Sequence, residues 1–114
     1  MDIDNLTVER IEELAESFLK SVKDKNTSEK NKWTSQYHTY SASKILMNAY
    51  TRVVAKSFPS VYINCVCPGH VKTDLNFNTG SLTVSEGAEG PVMVALAEGG
   101  ITGQFYNQTQ ISTF

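Results

Sequence analysis

A tyrosine and a lysine stand four residues apart in the stretch YSASK, at Tyr40 and Lys44. The stretch opens a segment with the apolar spacing of an amphipathic helix, and residues four apart on a helix are neighbours on one face. The two side chains can therefore bring a phenol and an ammonium group to the same point in space. Such a pair could act as a proton donor whose anion is stabilised by the adjacent positive charge.

A second group of reactive side chains lies in the stretch CVCPGH, at Cys65, Cys67 and His70. The spacing of two places both cysteines on one face of a strand, which does not suit a disulfide between them. The three side chains could be metal ligands, but CxC is not the usual CxxC knuckle and a fourth ligand is missing. We therefore expect no metal site and predict two buried free thiols.

The composition excludes several classes of function. The chain has 114 residues, 40% of them hydrophobic and 19% charged, as is typical of one soluble globular domain. A formal charge of −2 and scattered basic residues argue against a nucleic-acid partner. There is no apolar run of the roughly 18 residues that a membrane span needs, and the segment MDIDNLTVER is unlike a signal peptide. We expect a cytoplasmic protein.

The first segment that could form a regular element is LTVERIEELAESFLKSV, which has apolar residues at helical spacing. Thr7 is the candidate N-cap, and Leu6 and Ile11 occupy the two positions of a hydrophobic staple. We predict a surface helix with one buried stripe. The polar stretch after it, rich in Asn, Ser and Lys, is typical of a loop.

A longer helix is predicted from about His38 to Ser57, with Pro59 ending it. Its apolar face is expected to be broad and to consist of Ile45, Leu46, Ala49, Tyr50, Val53 and Val54. The next stretch, VYINCVC, is β-branched and almost entirely apolar, as in a strand buried on both faces of a parallel sheet. Pro68 and Gly69 end it. Ligands of open α/β sheets bind outside the carboxyl ends of the strands, so the following loop is placed at a ligand site.

A third helix is predicted to start at Thr83, which can form a capping box with Glu86 in TVSE. It would continue through GAEGPVMVALAE, although Gly87, Gly90 and Pro91 are unfavourable in a helix interior. GGITG is predicted to be a turn, and QFYN the last strand.

The order of these motifs is more specific than any one of them. Taken alone, Tyr40 and Lys44 could be an aromatic residue at a helix start and a solvated charge. Together, YSASK, the helix behind it, INCVCPG and VKTD closely resemble the active-site half of the short-chain dehydrogenase/reductase family. The stretch NCVCPGHVKTDLNFNTGSLTVSEGAEGPV further resembles the plant branch that contains neomenthol dehydrogenase, menthone reductases and salutaridine reductase.

The resemblance implies a fold and an activity. The fold would be α/β, with residues 37–114 forming the C-terminal part of a Rossmann-like, doubly wound parallel sheet and residues 1–36 a helical insertion segment before it. The activity would be hydride transfer between NADPH and a small ketone or secondary alcohol, such as a monoterpenoid or an alkaloid. Tyr40 resembles the catalytic acid that protonates the carbonyl oxygen. Lys44 resembles the lysine that places a positive charge beside the phenol and holds the nicotinamide ribose.

The loop after the predicted strand resembles the part of the family's site that binds the nicotinamide. Pro68, Gly69 and Val71 match the turn that lines the ring, and the backbone of Val71 would bond the carboxamide. Thr73 resembles a hydroxyl that contacts the carboxamide or the pyrophosphate. The alternative for Thr73 is a helix N-cap before Asp74.

The sequence departs from the family before the tyrosine. The 114 residues contain no glycine-rich TGxxxGxG turn, no NAG-type stretch and no serine on a strand preceding YSASK. We interpret the chain as the C-terminal portion of a longer reductase, inactive alone. The full-length protein is expected to be a monomer, because the insertion of this branch covers the helices through which other members dimerise. A non-catalytic remnant acting as an interaction module through exposed apolar faces remains an alternative, as does an unrelated small α/β binding domain.

Overall fold

The computed structural model describes residues 5–23 and 36–113 of the chain. Two helices precede the first strand, and a short 3₁₀ helix and a third α-helix separate that strand from the last two, in an α/β arrangement. In chain order the elements are α1 (Val8–Lys23), α2 (Gln36–Ser57), β1 (Cys65–Cys67), the 3₁₀ helix (Asp74–Asn76), α3 (Val84–Leu96), β2 (Phe105–Asn107) and β3 (Gln110–Ser112). They divide into two compact units, one ending at Val53 and the other beginning at Val54. Within the described ranges, no helix has the length and apolar character that crossing a membrane requires.

The start of α1 confirms the predicted cap. The Thr7 hydroxyl oxygen accepts a hydrogen bond from the Arg10 backbone N–H at 3.3 Å, which satisfies one of the free donors of the first turn. Leu6 and Ile11 are both buried, and they form a core cluster with Ala49 of α2. The staple therefore fixes the start of α1 and packs the helix onto α2 within the first unit.

Helix α2 has the predicted extent, but its apolar face is narrower than the sequence suggests. Ala49 is buried and Leu46 and Val53 are partly buried against the α1 cluster, a stripe with spacings of three and four residues. Ile45 and Tyr50, which the sequence places on the same apolar face, are 44% and 50% exposed, so the part of that face covered by described residues is narrower. One helix covers only one stripe of its neighbour, and both residues lie outside it.

The sheet has the order β1–β2–β3. β1 and β2 pair in parallel, with Val66 opposite Tyr106, and the stretch QFYN predicted as a strand contains β2. The pairing of β2 with β3 is antiparallel, and β3 was not predicted. The connecting turn contains Gln108 at a φ of +57°, a left-handed conformation reached without the Asn-Gly or Asp-Gly pair that usually signals a hairpin.

β1 is shorter and more exposed than the sequence predicts. Only Cys65–Cys67 of VYINCVC is a strand, and Val61 and Tyr62 before it are exposed. Cys65 and Val66 are half-buried and Cys67 is exposed, so the expectation of burial on both faces is wrong for the described residues. The physical reason is that few described elements cover this strand. Among the described residues, β2 pairs with one edge of β1, and α3 packs against β1.

Helix α3 begins with the predicted capping box. Glu86 N–H donates to the Thr83 hydroxyl at 3.2 Å, and the Thr83 N–H donates to the Glu86 carboxylate at 2.7 Å. The helix continues without interruption through Gly87, Gly90 and Pro91. Both glycines are buried. Without side chains at these two positions, α3 can approach Val71 of the loop after β1 and the backbone of Gln108 closely. This close packing offsets the low helix propensity of glycine.

Candidate active site

Tyr40 and Lys44 lie on one face of α2, as their spacing predicts. The Lys44 Nζ is 5.5 Å from the centroid of the Tyr40 ring, within cation–π range. Tyr40 is 66% exposed and Lys44 is exposed, whereas Ala42 between them is buried. The phenol and the ammonium are therefore open to a ligand.

Ser43, one of the two serines between Tyr40 and Lys44, bonds to the helix backbone. The Ser43 hydroxyl donates to the Tyr40 carbonyl oxygen at 2.7 Å, one turn back along α2. Such a bond is the usual way for a serine inside a helix to satisfy its hydroxyl. Ser43 therefore supports the backbone of the turn that carries Tyr40.

Pro68 and Gly69 belong to the second unit, at the carboxyl end of β1. The Gln108 N–H donates to the Cys67 carbonyl at 2.7 Å, so the β2–β3 turn holds the end of this strand. Gly69 has a φ of +83°, and a Cβ there would lie 2.7 Å from Leu82 Cδ1 and 3.1 Å from Gln108 Nε2. Only glycine suits this position, because of both the left-handed backbone and the close neighbours.

Val71 is fixed by its backbone and by its side chain. Its N–H donates to the Gly69 carbonyl at 3.1 Å, across a turn of three residues. It also forms an isolated parallel bridge with Leu82, in which the next N–H, that of Lys72, donates to the Leu82 carbonyl at 2.8 Å. The side chain packs at Gly87 of α3, where an added Cβ would lie 3.0 Å from Val71 Cγ1 and still closer to Cγ2. The missing side chain at Gly87 therefore provides the space that Val71 fills.

Gly80 allows the returning loop to contact this segment. A Cβ at Gly80 would overlap the backbone of Val71 and Lys72. The N–H of Ser81 donates to the His70 carbonyl at 2.9 Å on the same side. The segment that follows β1 is therefore held against a second stretch of backbone.

Thr73 and Asn76 form a polar turn that the sequence reasoning missed. The Asn76 side-chain amide donates from Nδ2 to the Val71 carbonyl at 2.7 Å, and its Oδ1 accepts from the Thr73 N–H at 3.2 Å. The Thr73 carbonyl accepts from the Asn78 N–H at 2.8 Å. Asn three residues after Thr is a variant of the capping-box spacing, and that signal could have identified Asn76. Thr73 is also the N-cap residue of the 3₁₀ helix, the alternative considered from the sequence.

The cysteines do not form a site with their neighbours. Neither cysteine is in a disulfide, and the Cys65 thiol donates to the Gln104 carbonyl at 3.6 Å. Cys65 is half-buried and Cys67 is exposed, so the prediction of two buried thiols is wrong. Cys67 ends β1, and no described element covers it. Within residues 5–23 and 36–113, no group of three His, Cys, Asp or Glu side chains is arranged to hold a metal ion.

A cavity of about 560 Å³ lies in the second unit, between α3 and the sheet. Its lining includes Val66, Pro91, Val94 and Tyr106, and none of the six residues predicted for catalysis or cofactor binding. The structure thus brings Tyr40 together with Lys44 in the first unit, and Pro68, Gly69, Val71 and Thr73 together in one loop of the second.

No protein-family model matches the chain. It is 44% identical over 114 residues to short-chain dehydrogenase/reductase 1 of Saponaria officinalis, an alignment that covers 99% of this chain and 37% of that protein. It is 45% identical over 115 residues to (+)-neomenthol dehydrogenase of Arabidopsis thaliana, covering 99% of this chain and 38% of that protein.

The solved structure of salutaridine reductase from Papaver somniferum is similar to this chain, with a TM-score of 0.81 and 45% sequence identity. The superposition covers 93% of this chain and 36% of that one. The chain therefore spans a little over a third of the length of the relatives that it matches.

Proposed function

Because the chain belongs to the short-chain dehydrogenase/reductase family and has part of its Rossmann-like α/β fold, we propose that it carries the catalytic pair and the nicotinamide-binding loop of an NADPH-dependent carbonyl reductase. The observation that carries this proposal is the placement of the Lys44 ammonium 5.5 Å from the Tyr40 ring on an exposed turn of α2. The substrate would be a small ketone or secondary alcohol of the monoterpenoid or alkaloid type. Relatives named for neomenthol and salutaridine support that class.

Tyr40 would act as the general acid. When bound, NADPH supplies the hydride that reduces the carbonyl carbon, and the oxygen then requires a proton. The Tyr40 hydroxyl is exposed and can donate that proton. The Lys44 ammonium would stabilise the resulting phenolate by its charge and bind the ribose hydroxyls with its remaining donors. In the direction of alcohol oxidation, the Tyr40 phenolate would accept the proton of the alcohol as the base.

The loop after β1 fits the nicotinamide end of the cofactor. Gly69 turns the backbone at a left-handed φ directly after Pro68, and Pro68 is exposed and could lie against a flat ring. The Val71 side chain packs at Gly87. The Val71 carbonyl accepts one hydrogen bond from Asn76, and its second lone pair could accept another from the carboxamide of the nicotinamide. Thr73, half-buried beside it, would contribute its hydroxyl. A relative named as an NADPH carbonyl reductase supports NADPH as the cofactor.

The 114 residues provide only one end of a dinucleotide site. Diphosphate groups bind at a glycine-rich turn and a helix N-terminus, and the sequence contains no such turn. We therefore propose that the activity belongs to a longer polypeptide in which this chain is one part, and that residues 1–114 alone are inactive.

The protein is proposed to act as a monomer. In the first unit, α1 covers the stripe of α2 at Leu46, Ala49 and Val53, so that stripe is not available to a second copy. Sedimentation of the native protein at micromolar concentration would test this. A single species of monomer mass is expected, and a stable dimer would contradict the proposal.

The activity can be tested on the protein expressed from its full native transcript. Menthone, related monoterpenoid ketones and an alkaloid ketone would be supplied with NADPH or NADH, and loss of reduced-nicotinamide absorbance would be recorded. We expect reduction of at least one ketone, faster with NADPH. A folded protein that binds neither cofactor and reduces none of these ketones would contradict the proposal and would favour a non-catalytic interaction module.

A further inference from the structure

The side chain of Asn76 joins two backbone groups of the proposed nicotinamide-binding loop. It donates to the Val71 carbonyl at 2.7 Å and accepts from the Thr73 N–H at 3.2 Å. Asn76 is itself half-buried. One carboxamide thus bonds to an acceptor and a donor that lie two residues apart.

Apolar packing does not fix this turn. Leu75 and Phe77, on either side of Asn76, are 93% and 90% exposed, so neither side chain contributes burial that would hold the segment. Phe77 and Asn78 also have left-handed φ values of +54° and +57°, a conformation with a cost for residues other than glycine. The hydrogen bonds of the turn, two of them from the Asn76 side chain, must therefore offset that cost.

Few other side chains could make both bonds. An aspartate has no hydrogen to donate to the Val71 carbonyl and would place a negative charge against it. Serine and alanine are too short to reach both groups, and glutamine carries its amide one carbon farther from the backbone. The geometry at Asn76 is specific to a short side chain with one donor and one acceptor.

We propose that Asn76 is a positioning residue that sets the place of the Val71 carbonyl and the Thr73 backbone for the nicotinamide end of the cofactor. The inference rests on the proposed function, since it concerns how the same site is held. Asn76 acts through the loop, so it should affect the nicotinamide and leave the adenosine end of NADPH unaffected. A misplacement of reacting groups by about 1 Å can cost roughly 100-fold in rate, so the effect should be large enough to measure.

The test uses Asn76→Ala and Asn76→Asp in the native protein, with Asn78→Gly as the matched control. Asn78 is exposed, and its side chain bonds to Asp74 at 3.2 Å rather than to Val71 or Thr73; glycine tolerates its left-handed backbone. The measurements are kcat, the Kd of NADPH, the Kd of the adenosine bisphosphate half of the cofactor, and hydrogen exchange of the Thr73 amide.

Asn76→Ala is expected to lower kcat by about 10- to 100-fold, to weaken NADPH binding and to speed exchange at Thr73. Binding of the adenosine bisphosphate should not change. Asn76→Asp keeps the acceptor for Thr73, so exchange there should remain slow while kcat and NADPH binding still fall. Asn78→Gly should match the wild type in all four measurements.

The outcomes separate this inference from the proposed function. If the wild type reduces carbonyls and Asn76→Ala retains wild-type kcat and NADPH affinity, the positioning role is wrong and the reductase activity stands. If Asn76→Ala weakens the adenosine bisphosphate as much as NADPH, the effect is general loss of structure and the inference is also overturned. If the wild type neither binds NADPH nor reduces a carbonyl, the proposed function fails and the inference fails with it.

Discussion

Gly87 provides a sharp test of how the nicotinamide-binding loop is held. It lies in α3 and is buried, and Val71 fills the space where its side chain would be. In Gly87→Ala the new methyl would lie 3.0 Å from Val71 Cγ1 and 3.2 Å from Val71 Cβ, with Cγ2 closer still. Ordinary carbon–carbon contacts are about 3.5–4.0 Å. Because Cγ2 is the closest of these atoms, Val71 would have to move by roughly 1 Å or more, or α3 would have to shift by as much.

Two opposing free energies decide the stability of Gly87→Ala. Replacing glycine by alanine in a helix interior stabilises by about 1 kcal/mol. Overpacking a filled site costs about 1–3 kcal/mol. The net change in the free energy of unfolding is then about 0–2 kcal/mol of destabilisation, and the thermal midpoint should fall by at most roughly 10 °C.

The effect on catalysis should be larger than the effect on stability. Displacing Val71 moves the backbone that is proposed to bond the carboxamide, and a shift of about 1 Å can cost up to 100-fold in rate. Thermal unfolding and steady-state kinetics would be measured for Gly87→Ala and for Ser85→Ala, an exposed control position in the same helix. The control should retain wild-type kcat. If Gly87→Ala raised the thermal midpoint and left kcat unchanged, Val71 would not be held by this contact and the reasoning would be refuted.

Three further predictions address the catalytic lysine, the cap of α3 and the extent of the cofactor site. Lys44→Ala should lower kcat by about 100-fold and also raise KM for NADPH, because one ammonium is proposed to serve the phenol and the ribose; a change in only one of these constants would contradict the double role. Thr83→Ala should destabilise by about 0.5–2 kcal/mol in thermal unfolding, and Thr83→Ser should restore the loss. Hydrogen bonds from the backbone N–H and the hydroxyl of Thr83 lower the pKa of Glu86, so the stabilisation from the Glu86 carboxylate is present at neutral pH. It is lost as the pH falls through the lowered pKa, and if stability fell with acid pH as much in Glu86→Gln as in the wild type, this prediction would be refuted. Residues 1–114 expressed alone should give no saturable NADPH fluorescence enhancement, and a Kd below about 100 μM would show a complete cofactor site.

The parts of the structure that were predictable are those set by local chemistry. Thr7 and Thr83 are caps because a hydroxyl beside free N–H groups has the same role in any helix. Tyr40 and Lys44 share a face because helical geometry alone requires it for residues four apart. These features depend on neighbours within one turn, so the sequence is sufficient to identify them.

The features that were not predicted depend on residues distant in sequence. Gly87 and Gly90 are unfavourable by helix propensity, and only the position of Val71 and of the β2–β3 turn explains their presence. β3 follows a turn without the usual glycine, so no local signal marked it. The sequence did not identify which apolar residues are exposed, Ile45 and Cys67 among them, because an apolar pattern does not say which neighbouring element covers it.

Substitution of the tyrosine tests the central claim, that Tyr40 is the proton donor of a carbonyl reductase, most directly. Tyr40→Phe keeps the ring and removes the hydroxyl, and Tyr50→Phe makes the same change at an exposed position on the same helix. With the native protein, kcat for ketone reduction and the Kd of NADPH would be measured for both variants. Tyr40→Phe should lose about 10²–10⁴-fold in kcat with NADPH binding nearly intact, and Tyr50→Phe should lose neither. A Tyr40→Phe protein that keeps more than about a tenth of the wild-type kcat would contradict the role assigned to Tyr40.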